Sequence, residues 1–334
     1  MAGARFDWRD GERHIFFGRG RIAEAVDLLG GPGYVLLTTE RAQAAAPAVV
    51  GAAADVVQVG SGQVDALAGD LLDRVRGDRI VALGGGRIVD TAKAIAAAHR
   101  RERPGVAAMA VPTTLSGAEM TWVHRLPAGV PGGTARVRPA VVVNDPALSA
   151  SQPEAELTAS ALNALGHAAE APVTTLTNPV AALASFEAAR LIAGAFPGDR
   201  EPDRDALALG ALLGGYGIDS AWYGLHHVLS QTLVRVGGVA HGAANAVLLP
   251  HTLGALAWRF PDALARLGEA LGGEPSEVAA RLCARTGATT LHQLGVTEET
   301  LQRCADAAAE RPELDHTPPR AERSELLAIY EHAL

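Results

Sequence analysis

Short apolar runs alternate with amphipathic stretches up to about Asp145-Pro146 and then almost cease, a change that constrains the fold more than any other feature of this 334-residue chain. Tyr34–Thr38, Asp55–Val59, Arg79–Leu83, Ala107–Val111 and Ala140–Asn144 read as strands. Between them, Arg21–Leu29, Gln43–Ala54, Val64–Val75 and Ile88–Arg100 carry apolar residues at helical spacing. That order predicts βα units around a parallel sheet. Farther on, Glu154–Ala171, Pro179–Phe196, Asp205–Gly215, Ala221–Val236, Gly242–Leu253, Pro261–Leu271, Ser276–Thr286 and Glu298–Glu310 read as helices punctuated by proline and glycine. The polar, proline-containing Arg311–Arg323 reads as an exposed connector to a last helix, Ser324–Leu334. The expectation is an α/β dinucleotide-binding domain over 1–150 and an all-helical domain over 151–334, each large enough to bury a core.

Charge and cysteine usage narrow the function classes. Twenty-nine Lys and Arg against 37 Asp and Glu give a net charge of −8, which leaves no basic surplus for a nucleic-acid backbone. The N-terminal twenty residues are charged throughout, and no apolar run reaches the length of a membrane span, so neither export nor a membrane is expected. Two widely spaced cysteines, Cys283 and Cys304, offer no disulfide framework and suit a reducing cytoplasm.

The strand Ile80–Leu83 runs into Gly84-Gly85-Gly86 and then a helix containing Asp90 and Lys93. Bare backbone N–H groups at a helix start can approach a pyrophosphate closely; a plain tight turn is the competing reading. After the next strand comes a second polar cluster, Thr113-Thr114-Leu115-Ser116-Gly117-Ala118-Glu119. Two such loops at the carboxyl ends of neighbouring strands stand where open α/β sheets hold ligands. Glu40, after the first strand, is placed to accept ribose hydroxyls and so to favour NADH; a simple loop charge is equally consistent. In the helical half, Asn163 and His167 share one helix face, and His226-His227 and His241 follow. Taken singly, each histidine reads as a hydrogen-bonded core residue.

Together these pieces resemble the iron-containing (group III) alcohol dehydrogenase family, most closely its maleylacetate reductase branch. The matching stretches are Phe17–Gly20, Gly84–Lys93, Pro112–Thr121, Asn163–Ala171, and Gly224 to His251. The resemblance implies a dehydroquinate synthase-like fold and a homodimer, with hydride transfer from NAD(H) or NADP(H) to a small-molecule substrate in the interdomain cleft. Carried over by position, Gly84, Gly85, Gly86 and Asp90 match the family's pyrophosphate loop, and Thr113, Thr114 and Ser116 its second cofactor loop. The Asp-His-His-His metal ligands of metal-dependent members fall on Asn163, His167, His227 and His241. Three neutral imidazoles and an amide lack a compensating carboxylate, so no divalent metal is expected at these degenerate positions. The reductase branch also has asparagine there, so reduction is still implied.

Two departures bear on mechanism. Gln231 stands where the family usually has another histidine, and glutamine cannot relay a proton near neutral pH. Arg235 lies where a glycine pair is usual and reads either as a substrate-carboxylate clamp or as a surface residue. His124, just past the second cofactor loop, is placed to face substrate, and His251 to anchor a helix end. The resulting expectation is reduction of a small oxo-acid or enone-acid such as maleylacetate, with proton transfer by His167, His227 or His241, of which His241 is favoured. The alternatives are a scaffold diverted to a larger biosynthetic substrate and an inactive binding subunit.

Overall fold

A computed structural model describes residues 3–198 and 200–334, and the chain divides into two compact units, Met1–Ser151 and Gln152–Leu334. The first unit is built on β1 (Phe6–Asp10), β2 (Arg13–Phe17), β3 (Val35–Thr38), β4 (Asp55–Gln58), β5 (Arg79–Gly84), β6 (Ala107–Pro112) and β7 (Val141–Asn144). Its helices are α1 (Ala25–Leu28), α2 (Glu40–Ala45), α3 (Pro47–Gly51), α4 (Val64–Leu71) and α5 (Gly86–Arg100). The strands form one sheet in the order β1-β2-β7-β6-β5-β3-β4, parallel except for the β1–β2 pair. Both faces are covered. Ile80 and Ala82 of β5 join a core with Ile88 and Ile95 of α5, while Val81 and Leu83 join a second core with Leu29 and Val49. A strand buried on both faces has no polar side to show, which is why its sequence is continuously apolar.

The strand reading omits the β1–β2 hairpin. Its signal is a two-residue turn, Gly11-Glu12, between Asp10 and Arg13, with Gly11 at φ +58°. The helix expected over Gln43–Ala54 is two helices, because Ala46 leaves helical geometry immediately before Pro47, which opens α3.

The second unit comprises α6 (Glu154–Glu170), α7 (Pro179–Gly194), α8 (Arg204–Ala221), α9 (Leu225–Gly237), α10 (His241–Arg259), α11 (Pro261–Leu271), α12 (Pro275–Cys283), α13 (Glu298–Ala309) and α14 (Arg323–His332). No helix among the described residues is long and apolar enough to cross a membrane. α8 outruns its expected end at Gly215 because its glycines are packing surfaces. A Cβ on Gly210 would meet Ile192 at 2.8 Å, and one on Gly214 would meet the Ala164 carbonyl at 3.0 Å. Glycine costs a helix about 1 kcal/mol, and here that cost is offset by close helix contact. α10 likewise continues through Pro250, so His251 lies inside a helix and anchors no end. The segment expected as an exposed connector is packed instead, with Leu314, Thr317 and Ala321 all buried.

Candidate active site

In the first unit, Gly84 ends β5, Gly85 caps α5 and Gly86 is its first residue. No side chain caps this helix start, so its first-turn N–H groups can serve an anion. The second loop nests against the glycines. The Thr113 N–H donates to the Gly84 carbonyl at 3.0 Å. A Cβ on Gly85 would stand 3.0 Å from Thr114 Cγ2, and one on Gly86 would stand 2.9 Å from Ser116 Cβ. The glycines thus permit two loops to interlock beside an uncapped helix, and a side chain at Gly85 would first displace Thr114.

Asp90 faces a fully buried Lys93 at 2.7 Å, and burial raises its pKa against that attraction. Lys93 Nζ also donates to the carbonyls of Ala118, Thr121 and Val123 at 2.8 to 3.0 Å, tying the end of the second loop to α5. Glu40 is exposed at the start of α2, whose Thr39 cap accepts from the Ala42 N–H. Because β3 pairs with β5, Glu40 and the glycine loop follow neighbouring strand ends.

His124 does not face substrate. It is buried, its Nε2 accepts from the Val137 N–H at 3.1 Å, and its Nδ1 donates to the Arg125 carbonyl at 2.7 Å. With both nitrogens engaged by backbone and burial lowering its pKa to about 3, it is a neutral brace for the loop.

In the second unit, α6 presents Asn163, His167 and Glu170 on one buried face. Gly166 lets α9 approach, since a Cβ there would meet His226 Nε2 at 2.7 Å. The rings of His167 and His227 stack at 4.8 Å, tilted by 17°. Glu170 is fully buried and accepts from the backbone N–H groups of His226 at 2.7 Å and His227 at 3.3 Å, and from His227 Nδ1 at 2.6 Å. Burial raises the Glu170 pKa, and these donors work against the rise. The Nδ1 proton of His227 is thereby committed, leaving a bare lone pair on its Nε2, which is buried without a partner, as is Nδ1 of His167. His226 differs from its neighbour: its nitrogens contact Thr252 at 2.9 Å and Asn245 at 3.1 Å, so it is structural.

His241 opens α10 and contacts Asn163 Oδ1 from Nε2 at 3.1 Å. Burial lowers the pKa of His167 and of His241 and takes that of His227 to about 3.

Gln231, one turn beyond His227, accepts from Arg311 at 3.2 Å. Arg311 also donates to the Tyr223 hydroxyl at 3.1 Å and pairs with Glu313 at 2.9 Å. Burial raises the Tyr223 pKa to about 12. Arg235 is exposed in the last turn of α9. Glu170, Tyr223 and Arg311 were not singled out from sequence. Only Glu170 had a local signal, three residues after His167 on the same face.

Asn163, His167, His227 and His241 include no carboxylate, so these four side chains offer a divalent ion no compensating charge. Among the described residues no three His, Cys, Asp or Glu side chains gather as a cage.

The description "Iron-containing alcohol dehydrogenase" matches residues 13–146, and "Fe-containing alcohol dehydrogenase family, C-terminal" matches 157–334. The chain belongs to the iron-containing alcohol dehydrogenase family and is an oxidoreductase. Within that family its likeness falls on the maleylacetate reductase branch. It is 34% identical to a maleylacetate reductase of Burkholderia cepacia over 78% of this chain and 75% of that one. It is 32% identical to one of Sphingobium indicum over 89% of each. The crystal structure of maleylacetate reductase from Agrobacterium tumefaciens superposes with a TM-score of 0.83 at 28% identity, covering 99% of this chain and 98% of that one.

Proposed function

We propose that this reductase transfers hydride from NADH or NADPH to a small oxo-acid or enone-acid of the maleylacetate type, without a metal ion. The observation that carries the reading is the group of neutral imidazoles whose His227 tautomer is set by Glu170. The bound nicotinamide supplies the hydride; the chain's own residues bind, orient and move the proton. The uncapped start of α5 and the Thr113–Ser116 loop are the proposed cofactor-binding elements. Glu40, exposed at the end of a neighbouring strand, favours NADH in this reading.

His227 Nε2 offers only a lone pair, so it suits accepting from a substrate hydroxyl or water and not donating. His241, exposed at the start of α10, can take up a proton from solvent and would donate as the imidazolium, returning to the neutral ring that contacts Asn163. Arg311 occupies the Gln231 carbonyl oxygen and the Tyr223 hydroxyl takes a hydrogen bond from its amide, so one Gln231 N–H remains to meet a substrate carboxylate. A homodimer in the cytoplasm is proposed with this activity, supported by exposed Leu176, Val180 and Leu183 near the start of α7 and by two free, buried thiols.

The test is nicotinamide absorbance during turnover of maleylacetate, with and without chelator. Chelator-resistant oxidation of the cofactor is expected, and Gln231→Leu should raise KM about tenfold with little change in kcat. Dinucleotide binding without hydride transfer to any such acid would favour a diverted scaffold instead. Failure to bind either dinucleotide would favour an inactive binding subunit.

A further inference from the structure

The first unit holds a recess of about 340 Å³ that the proposed reaction does not use. Its lining includes Arg13, Arg100, Arg136 and Arg138, with Trp122 and a single carboxylate, Glu12. Arg13 opens β2, Ala140 precedes β7, and Arg100 ends α5. These are the amino ends of the parallel strands, whereas the glycine loop follows the carboxyl end of β5. The recess therefore lies on the opposite edge of the sheet from the proposed cofactor loops.

The four guanidiniums come from three segments, Arg136 and Arg138 sharing one, and three of them are held by backbone. Arg100 Nε donates to the Val106 carbonyl at 2.6 Å, Arg136 Nε to the His124 carbonyl at 2.8 Å, and Arg13 to the Met120 carbonyl at 2.7 Å. Asp10 pairs with Arg13, which is 2% exposed and keeps a buried Nε without an acceptor. Arg100 and Arg136, tethered through Nε, have no carboxylate partner among the described residues. At the C-terminus of α5, Arg100 complements the helix dipole, but that accounts for one cation of four. Gathering like charges costs energy even in solvent, and doing so in a chain of net charge −8 leaves the recess as a concentrated positive site.

Planar guanidinium forks match the paired oxygens of phosphates and carboxylates, and the volume is that of a small-metabolite pocket. We infer that this recess binds a small, multiply charged oxyanion, a site separate from the one that handles hydride.

The test is titration calorimetry of the full chain at low ionic strength, with pyrophosphate and citrate in separate runs. Saturable one-site binding of either is expected; pyrophosphate alone would identify a phosphate ligand, and citrate alone a polycarboxylate. The double variant Arg100→Gln/Arg136→Gln should weaken binding about tenfold or more while nicotinamide affinity stays unchanged. Both side chains are exposed, and each makes one backbone hydrogen bond, so the variant should fold. Glu12→Gln, which removes the one lining carboxylate, should tighten binding. The inference is overturned if neither anion binds saturably. It is equally overturned if the double variant binds as the parent does, which would place the anion elsewhere, such as the glycine loop.

Discussion

Replacing Glu119 by glutamine should make the protein more stable at alkaline pH by an amount that the structure sets. Glu119 lies in the turn after the second loop, 1% exposed; Asn144 donates to one of its oxygens at 3.3 Å, and the other oxygen has no partner. Burial pushes its pKa from 4.5 to about 7, against the pull of the Lys93 ammonium. In the unfolded chain the carboxyl returns to about 4.5. Between those values the folded protein holds a proton that the unfolded chain has released. The stability linked to that proton is complete below about pH 4.5 and is lost as pH rises through about 7. The gap from 4.5 to about 7, at about 1.4 kcal/mol per pH unit, amounts to about 3 kcal/mol, of which about 2 kcal/mol falls between pH 5.5 and 8.5. Glutamine has the same shape as the protonated acid and does not ionise. Urea melts of parent and Glu119→Gln at stepped pH should diverge by that amount in favour of the variant, and every other titrating group cancels in the difference. A difference that stays flat from pH 5.5 to 8.5 would refute the buried, uncompensated carboxyl.

Three further outcomes are expected. His124 and His226, both taken to about 3 by burial, contribute stability that is present above pH 6.5 and is lost as pH falls toward 3. At pH 5 each should cost about 2 kcal/mol, seen as a steep drop in Tm below pH 6. Gly85→Val should abolish dinucleotide binding by displacing Thr114 while the helical unit keeps its circular dichroism; unchanged affinity would remove the loop from the cofactor site. Glu170→Gln should lower kcat about ten- to hundredfold by releasing the His227 tautomer, with cofactor affinity unchanged, and a variant turning over at the parental rate would exclude that role.

The parts of the fold legible in sequence are those whose signal is local. The strands β3 to β7 and most helices follow from period and punctuation within ten to twenty residues. The departures arise where tertiary contact overrides a local cue. Gly214-Gly215 look like an end to α8 until the Ala164 carbonyl is seen pressed against Gly214. Leu314 and Thr317 look like part of a polar connector, yet Thr317 Oγ1 accepts from the Leu225 N–H at 3.1 Å, at the very start of α9. The β1–β2 hairpin is different: its Gly11-Glu12 turn is a local signal that alternation in Phe6–Asp10 supports.

The same division runs through the site. Helical period puts Asn163 and His167 on one face without any knowledge of the fold, but it cannot separate the adjacent His226 and His227. Neighbours on a helix point about 100° apart, so one turns toward Thr252 and Asn245 and the other toward Glu170 and His167. Glu170 reaches His227 across 57 positions of sequence, and Arg311 reaches Gln231 across 80. Those partners determine which histidine is structural, which nitrogen of His227 is bare, and what holds the Gln231 amide. Residue types at the site are therefore readable from spacing, while protonation and hydrogen-bonding direction belong to contacts that only the folded chain creates. A glutamine in place of a titrating histidine reads in sequence as a lost proton relay. In the folded chain it stands between Arg311 and Tyr223 as a fixed member of a hydrogen-bonded group, which its place in the sequence does not show.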